Sequence, residues 1–332
     1  MDQNKAIKIG RNEILPGESK KISYKISESY LGNSVSIPVH VLSSLKAGPV
    51  VFISGGIHGD EMNSIAIIND LMKKIVHINK GILIFIPVVN IFGFQDNSRY
   101  LPDRRDLNRC FPGQKTGSLA DRLAYRIFYD IITQCDYGID CHTAAFPRTN
   151  FPQLRADLSN ESVRKLAESF NAPIIVNSKG GVKTLRSAAT KQGCPTIVYE
   201  SGEVNRFESQ TIKTGIKGIQ NVLKSLDMIK GNHTQKSTII IHHSHWVRSN
   251  DGGLLRLQVH SGDLVKKGTI LAVCQNIFTL EEKHVLSPYT GIIIGLTLRP
   301  AIQPGEPVCH IGVISQKCFK LLGEKQIDIS SE

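Results

Sequence analysis

His58 and Glu61 stand three residues apart in Gly55-Gly56-Ile57-His58-Gly59-Asp60-Glu61, which follows the apolar run Val50-Val51-Phe52-Ile53. An imidazole nitrogen and a carboxylate oxygen are both good ligands for Zn²⁺, and this spacing lets one turn of backbone present both to one ion. A catalytic zinc site takes a third protein ligand and leaves one position open. His142 is the candidate: it ends the short strand-like segment Tyr137-Gly138-Ile139-Asp140-Cys141-His142. Asp140 lies two residues before His142, so a strand would point both side chains the same way. The carboxylate could then orient the imidazole, although a salt bridge is an equal use for it.

These residues need a scaffold that brings them together. Val50–Ile53, Ile82–Val89, Pro173–Val176 and Thr196–Glu200 read as strands, as does the segment leading to His142. Between them, helical periodicity runs over Asn63–Ile75, Leu119–Cys135, Ser159–Phe170 and about Glu208–Met228. Alternating strands and helices predict an α/β domain with a largely parallel or mixed sheet. Residues 20–46 read as antiparallel strands, and 90–117 as a long loop rich in Asn, Arg, Asp and Pro. In open α/β sheets ligands bind beyond the carboxyl ends of strands. His58, Glu61, His142 and Glu200 all fall at or just after such ends.

Near Lys230-Gly231-Asn232-His233-Thr234 the composition changes and helical periodicity stops. The expected organisation is a catalytic domain over 1–230, a linker at 231–236, a small all-β domain over 237–318 and a polar tail at 319–332. The all-β segment resembles a biotinyl/lipoyl-like barrel-sandwich but lacks the lysine-centred hairpin of a carrier domain, so no swinging cofactor is expected. His242, His243 and His245 cluster there. Strand alternation would put His242 on the opposite face from the other two, which argues against a second metal site.

Composition narrows the function classes. The charged fraction of 21% and hydrophobic fraction of 41% are ordinary for a globular protein of 332 residues. The net charge of +11 is spread along the chain, and aromatics make up only 6%, thin for stacking on bases. Nucleic acid is therefore not an expected partner; a basic surface that draws small anionic substrates, or plain solubility, accounts for the charge. No apolar run approaches the ~18 residues of a membrane span, and the polar start has no signal-peptide core. The seven cysteines contain no C-x-x-C pair and fit reduced thiols, which points to the cytoplasm. A homo-oligomer is left open.

Several motifs in order now resemble one family: Gly-Gly-Ile-His58-Gly-Asp-Glu61, Arg99-Tyr100 followed by Asp106-Leu107-Asn108-Arg109-Cys110-Phe111-Pro112-Gly113, Asp140-Cys-His142-Thr143-Ala, and Tyr199-Glu200-Ser-Gly. The chain is similar to the succinylglutamate desuccinylase/aspartoacylase family of the zinc carboxypeptidase superfamily, with residues 30–230 as the catalytic part. The all-β segment resembles that of bacterial deacylase-like members. The resemblance implies a zinc-carboxypeptidase-like mixed sheet flanked by helices, with one Zn²⁺ per chain held by His58, Glu61 and His142. It implies Glu200 as general acid/base, with Glu203 the weaker choice. Arg99 would polarise the scissile carbonyl, and Asn108 with Arg109 would bind a substrate carboxylate. Arg148 and Arg155 flank the loop after His142 and could assist in anion binding. Cys141 stands where the family commonly has leucine, which a buried thiol can replace.

The activity expected is removal of an acyl group from an N-acyl amino acid or similar small amide by metal-activated water. The alternatives are a zinc carboxypeptidase acting on peptide C-termini, an esterase using the same site, or a binding module without catalysis.

Overall fold

The computed structural model describes residues 3–233, 238–320 and 322; the expected linker falls partly, and the expected polar tail mostly, outside them. Two hairpins come first. β1 (Ile7–Ile9) pairs with β2 (Asn12–Ile14), and β3 (Ser19–Glu28) pairs antiparallel with β4 (Ser34–Ser43). The period-2 sequence of β3 buries Ile22, Tyr24 and Ile26 and leaves its lysines outside.

β5 (Val50–Ser54) and β6 (Ile82–Ile86) are parallel neighbours joined by helix α1 (Met62–Lys74). Both strands are apolar, apart from Ser54 at the end of β5, because both of their faces are covered. On one face Val51, Ile53, Leu83 and Phe85 pack in a cluster with Ile67, Ile68 and Leu71 of α1. On the other, Phe52, Ile82, Ile84 and Ile86 join a second cluster with residues of the first hairpins and of the next long helix.

The segment expected to be a long loop is shorter than that. α2 (Ile91–Gln95) starts on Asn90, whose side chain accepts from the Gly93 amide, and a 3₁₀ turn covers Leu107–Arg109. The next helix, α3 (Leu119–Asp130), begins with a capping box between Ser118 and Asp121. β7 (Tyr137–His142) follows, then β8 (Arg148–Ala156), α4 (Glu161–Phe170), β9 (Ile174–Asn177), α5 (Leu185–Lys191), β10 (Thr196–Gly202) and α6 (Ser209–Ser225). Two of these carry no clear periodic signal. β8 is largely polar and contains Pro152, while α5 spans under two turns.

Strands β6, β5, β7 and β10 lie side by side in parallel, so their carboxyl ends fall at one edge of the molecule. The register is specific: Glu200 sits opposite His142, and Ser54 opposite Asp140. β8 then runs antiparallel beside β10. This is an α/β mixed sheet flanked by helices.

From residue 238 to 313 the chain is all-β: β11 (Ile239–Ile241), β12 (Ser244–Arg248), β13 (Gly253–Leu257), β14 (Leu264–Val265), β15 (Ile270–Gln275), β16 (Glu282–Leu286), β17 (Gly291–Thr297), β18 (Ala301–Ile302) and β19 (Pro307–Val313). A short helical segment follows at 316–320. β13, β15, β16 and β18 form a four-stranded sheet of their own. The others extend the main sheet, because β17 pairs with β8, β11 with β9, and β19 bridges β17 to β12. Among the described residues no helix is long and apolar enough to cross a membrane.

Leu83 is fully buried between β6 and the α1 layer. Leu83→Ala is expected to cost about 2–5 kcal/mol in chemical denaturation, the range for emptying such a position. A loss below about 1 kcal/mol would mean that the layer does not close over this strand.

Candidate active site

Glu61 is the N-cap residue of α1, but its side chain caps nothing. It is only 1% exposed, and both carboxylate oxygens are committed elsewhere. Oε1 lies 2.7 Å from His58 Nδ1, and Oε2 lies 2.9 Å from His142 Nδ1 and accepts from the Thr143 amide at 3.2 Å. The two imidazole centroids are 5.1 Å apart. One ligand atom from each of the three residues lies within 4.8 Å of the others, so this buried group could hold a metal ion.

The outer ring nitrogens are also fixed. His142 Nε2 is 2.8 Å from Asp140 Oδ2, and Asp140 Oδ1 accepts from the Ser54 hydroxyl at 2.7 Å. His58 Nε2 is 3.2 Å from Asp106 Oδ1. A carboxylate on each Nε2–H holds the tautomer whose Nδ1 lone pair is free for a cation, the outer-shell pattern of metal-bound histidines. The donor set thus fits a metal.

Electrostatics point the same way. Burial alone would lower the pKa of each histidine, but the carboxylates outweigh it: Glu61 and Asp106 raise His58, and Asp140 and Glu61 raise His142 well above its ordinary value. Burial would raise Glu61, yet the two imidazoles hold it well below the carboxylate range. A centre this rich in negative charge demands positive charge, which protons supply when no cation does.

The loop geometry is exacting. Gly59, between the two donors, passes so close to α2 that a Cβ there would stand 1.9 Å from the Gly93 carbonyl carbon. Arg99 Nη2 donates to Asp106 Oδ2 at 2.8 Å, and its Nη1 reaches within 3.8 Å of Glu61 Oε1. Asp106 also accepts from the Asn108 amide at 2.8 Å, which closes the turn that aims Asn108 and Arg109. The Asn108 side-chain oxygen is taken by the Leu185 amide at 2.8 Å, which leaves its NH₂ for a ligand.

His58, Glu61, Arg99, Asn108, Arg109, His142, Arg148 and Glu200, separated in the chain, all line one cavity of about 430 Å³. Glu200 accepts from Asn150 Nδ2 at 2.8 Å through Oε2, while Oε1 pairs with Arg155 Nε at 3.4 Å, an ion pair without a directed hydrogen bond. Glu203 does not line the cavity and pairs with Arg206 at 2.5 Å. Cys141 turns into the apolar core below the sheet. His242, His243 and His245 line a separate groove with Arg155 and His310.

Three residues of the site, Asn150, Trp246 and Arg186, escape sequence reasoning, and a fourth, Asp106, stands in the quoted motif without a role. Asp106 braces His58 and Arg99. Asn150 lies in polar β8. Trp246 comes from the C-terminal strands, stacks on His310 with ring centroids 4.6 Å apart, and carries the Arg148 guanidinium over its ring. Arg186, on α5, lines the cavity at 7% exposure with Nη1 unpartnered; burial, chiefly, and the neighbouring Arg155 pull its pKa down to about 10.

A buried His₂Glu group that could hold a metal ion, at the carboxyl ends of a mixed sheet and with a further glutamate lining the same cavity, fits a hydrolase of carboxypeptidase-like fold. Residues 47–226 match the succinylglutamate desuccinylase/aspartoacylase catalytic domain, and the chain belongs to that family. It is 26% identical over 266 residues to the N-alpha-acetyl-L-2,4-diaminobutyric acid deacetylase of Halomonas elongata, a match spanning 76% of this chain and 77% of that protein. It is 24% identical over 204 residues to a probable aspartoacylase of Prochlorococcus marinus, spanning 59% of this chain and 68% of that one. The ectoine utilization protein EutE (DoeB) of Ruegeria pomeroyi, in a product-bound structure, superposes with a TM-score of 0.81 at 23% identity, covering 95% of this chain and all of that one. A succinylglutamate desuccinylase/aspartoacylase of Rhodobacter sphaeroides superposes with a TM-score of 0.78 at 24% identity, over 89% of this chain and 94% of that one. The structural likenesses establish the fold, and the family places the chain among hydrolases.

Removing Asp106 would strand Arg99 and free the His58 ring. Asp106→Ala is expected to destabilise the fold by about 2–4 kcal/mol, while Asp106→Asn, which keeps a side-chain acceptor for the turn, costs less. Equal melting temperatures for the two variants would show that this acceptor carries none of the turn.

Proposed function

We propose that the protein is a zinc-dependent amidohydrolase that removes an acyl group from N-acylated amino acids. The observation that carries this reading is the placement of the His58–Glu61–His142 donor set and Glu200 around one small arginine-lined cavity. His58 and His142 through Nδ1, with the Glu61 carboxylate, would hold Zn²⁺. A zinc ion there supplies Lewis-acid polarisation and acidifies water near neutral pH.

The remaining chemistry belongs to the chain. Glu200 takes the proton of the attacking water and returns it to the leaving amine. Arg99, held by Asp106, faces the centre where negative charge develops on the carbonyl oxygen. Asn108 and Arg109 anchor the substrate carboxylate, with directional and charge-assisted hydrogen bonds.

The arginines refine the substrate class. Arg99 and Arg155 have acidic partners, whereas Arg109, Arg148 and Arg186 have none within 4.0 Å among the described residues. Three cationic side chains without acidic partners around about 430 Å³ suit a substrate bearing more than one carboxylate, and poorly suit one with a free ammonium. An N-acylated acidic amino acid meets that demand. Seven free cysteines, six of them buried, support a cytoplasmic setting.

The test compares N-acetyl and N-succinyl derivatives of aspartate, glutamate and diaminobutyrate with short peptides and simple esters, using zinc-loaded protein. Acidic N-acyl amino acids should be cleaved best. Preference for peptides would make the enzyme a carboxypeptidase, and preference for esters an esterase. Metal analysis should find close to one Zn²⁺ per chain, lost in His142→Ala, with uptake weakening as pH falls because protons compete for the ring nitrogens. Glu200→Gln should lose about 10²–10⁴ in turnover with zinc retained; activity within about tenfold would remove Glu200 from the acid/base role. Arg186→Ala should raise KM for dicarboxylate substrates by roughly ten- to a hundredfold, the effect of losing a charge-assisted contact, and leave monocarboxylate substrates nearly unchanged.

A further inference from the structure

One cross-strand row joins the C-terminal strands to the catalytic carboxylate. In register across five neighbouring strands stand Gly202 of β10, Asn150 of β8, Gly295 of β17, His310 of β19 and Trp246 of β12. Residues opposite one another in adjacent strands share a face of the sheet. Two bulges lie beside the row, both on the same side of it. β8 shifts register against β10 between the Glu200–Gln153 and Gly202–Asn150 pairs, a stretch that includes Pro152, and β17 shifts against β19 between Ile293 and Gly295. Bulges of this kind re-aim side chains beside active sites.

Asn150 is the member of the row that touches Glu200. It is 6% exposed, and its Nδ2 donates to Glu200 Oε2 at 2.8 Å. With Arg155 against Oε1, the amide fixes the rotation of the carboxylate. The neighbour of Asn150 in the row has no side chain. A Cβ at position 295 would lie 2.9 Å from Asn150 Oδ1, 3.3 Å from the Thr149 carbonyl oxygen and 3.6 Å from His310 Cβ. Backbone closes one side and the His310 stack the other. The group free to yield is therefore the Asn150 amide, and because it is rigid and planar, a rotation that moves Oδ1 clear of the new methyl also turns Nδ2 off Glu200 Oε2.

We propose that Gly295 is a positioning residue: the space it leaves on β17 seats the Asn150 amide, and the seated amide orients Glu200. The C-terminal strands thereby set the geometry of the acid/base. This rests on Glu200 as the acid/base of the proposed amidohydrolase.

The experiment is a double-mutant cycle on zinc-loaded full-length protein, with Gly295→Ala, Asn150→Ala and the pair together. It is read as kcat and KM on the best N-acyl amino acid, with melting curves and crystal structures alongside. Gly295→Ala should lower kcat about tenfold with KM within about twofold, the mark of an interaction lost in the transition state. The double variant should be no slower than Asn150→Ala alone, because the clash has lost its target. In crystals of Gly295→Ala, the Asn150–Glu200 separation should exceed about 3.5 Å, the limit of a hydrogen bond. Costs that multiply in the double variant, or a separation kept at 2.8 Å, would overturn the proposal. If Gly295→Ala does not fold, Gly295→Ala with Asn150→Ser should fold and match the turnover of Asn150→Ser. A further loss, or failure to fold, would also overturn it. Should the wild-type enzyme cleave no N-acyl amino acid, the functional reading falls by itself, and the crystal separation still decides whether Gly295 seats the amide.

Discussion

A carboxylate buried between two imidazoles governs this structure. Glu61 is out of reach of bulk water, and each of its oxygens faces one ring nitrogen. Isolated burial of such a charge would be prohibitive, so the surroundings are organised to neutralise it. Two more carboxylates, Asp106 and Asp140, stand behind the rings, and Arg99 closes the remaining side. Four elements must converge for this: the Gly55–Glu61 turn, the Asp106 turn, the end of β7 and the start of α1. The close approach at Gly59 and the pairing of Ser54 with Asp140 follow from that convergence.

The cavity beside this centre belongs to two parts of the chain at once. The first two-thirds provide the donor set, the glutamate across from it and all five of the cavity's arginines. The last third provides Trp246, and its strand β17 lies against β8, the source of Arg148, Asn150 and Arg155. The all-β segment is therefore a wall of the site and an extension of the same sheet.

Much of this was legible in the residues. β5, β6 and β10 announce themselves as apolar runs because both of their faces are covered, β7 reads as a short strand-like segment, and each donor stands at or just after the end of a strand. His58, Glu61, His142 and Glu200 could be grouped on that ground, and the structure brings them to one cavity. β8 was not legible, since one face of it serves the cavity with polar side chains and Pro152 interrupts the pattern. Arg186 was hidden in a helix too short to show periodicity. The composition change near residue 230 was plain, but hydrogen bonding between β17 and β8 joins segments far apart in the chain and leaves no local mark. The sparse helical content expected of residues 90–117 failed for a related reason. Caps such as Asn90 and Asp106 support short turns that no hydrophobic period betrays.

Trp246 is the chain's sole indole, and it sits against the cavity with His310 stacked on it and a guanidinium over its ring. Ultraviolet emission excited at the red edge of the spectrum therefore originates from one known spot, with no background from elsewhere in the molecule. An anionic guest that draws Arg148 off the indole would change that glow directly. Occupancy of the chamber can thus be followed optically in unlabelled protein, before any bond is broken.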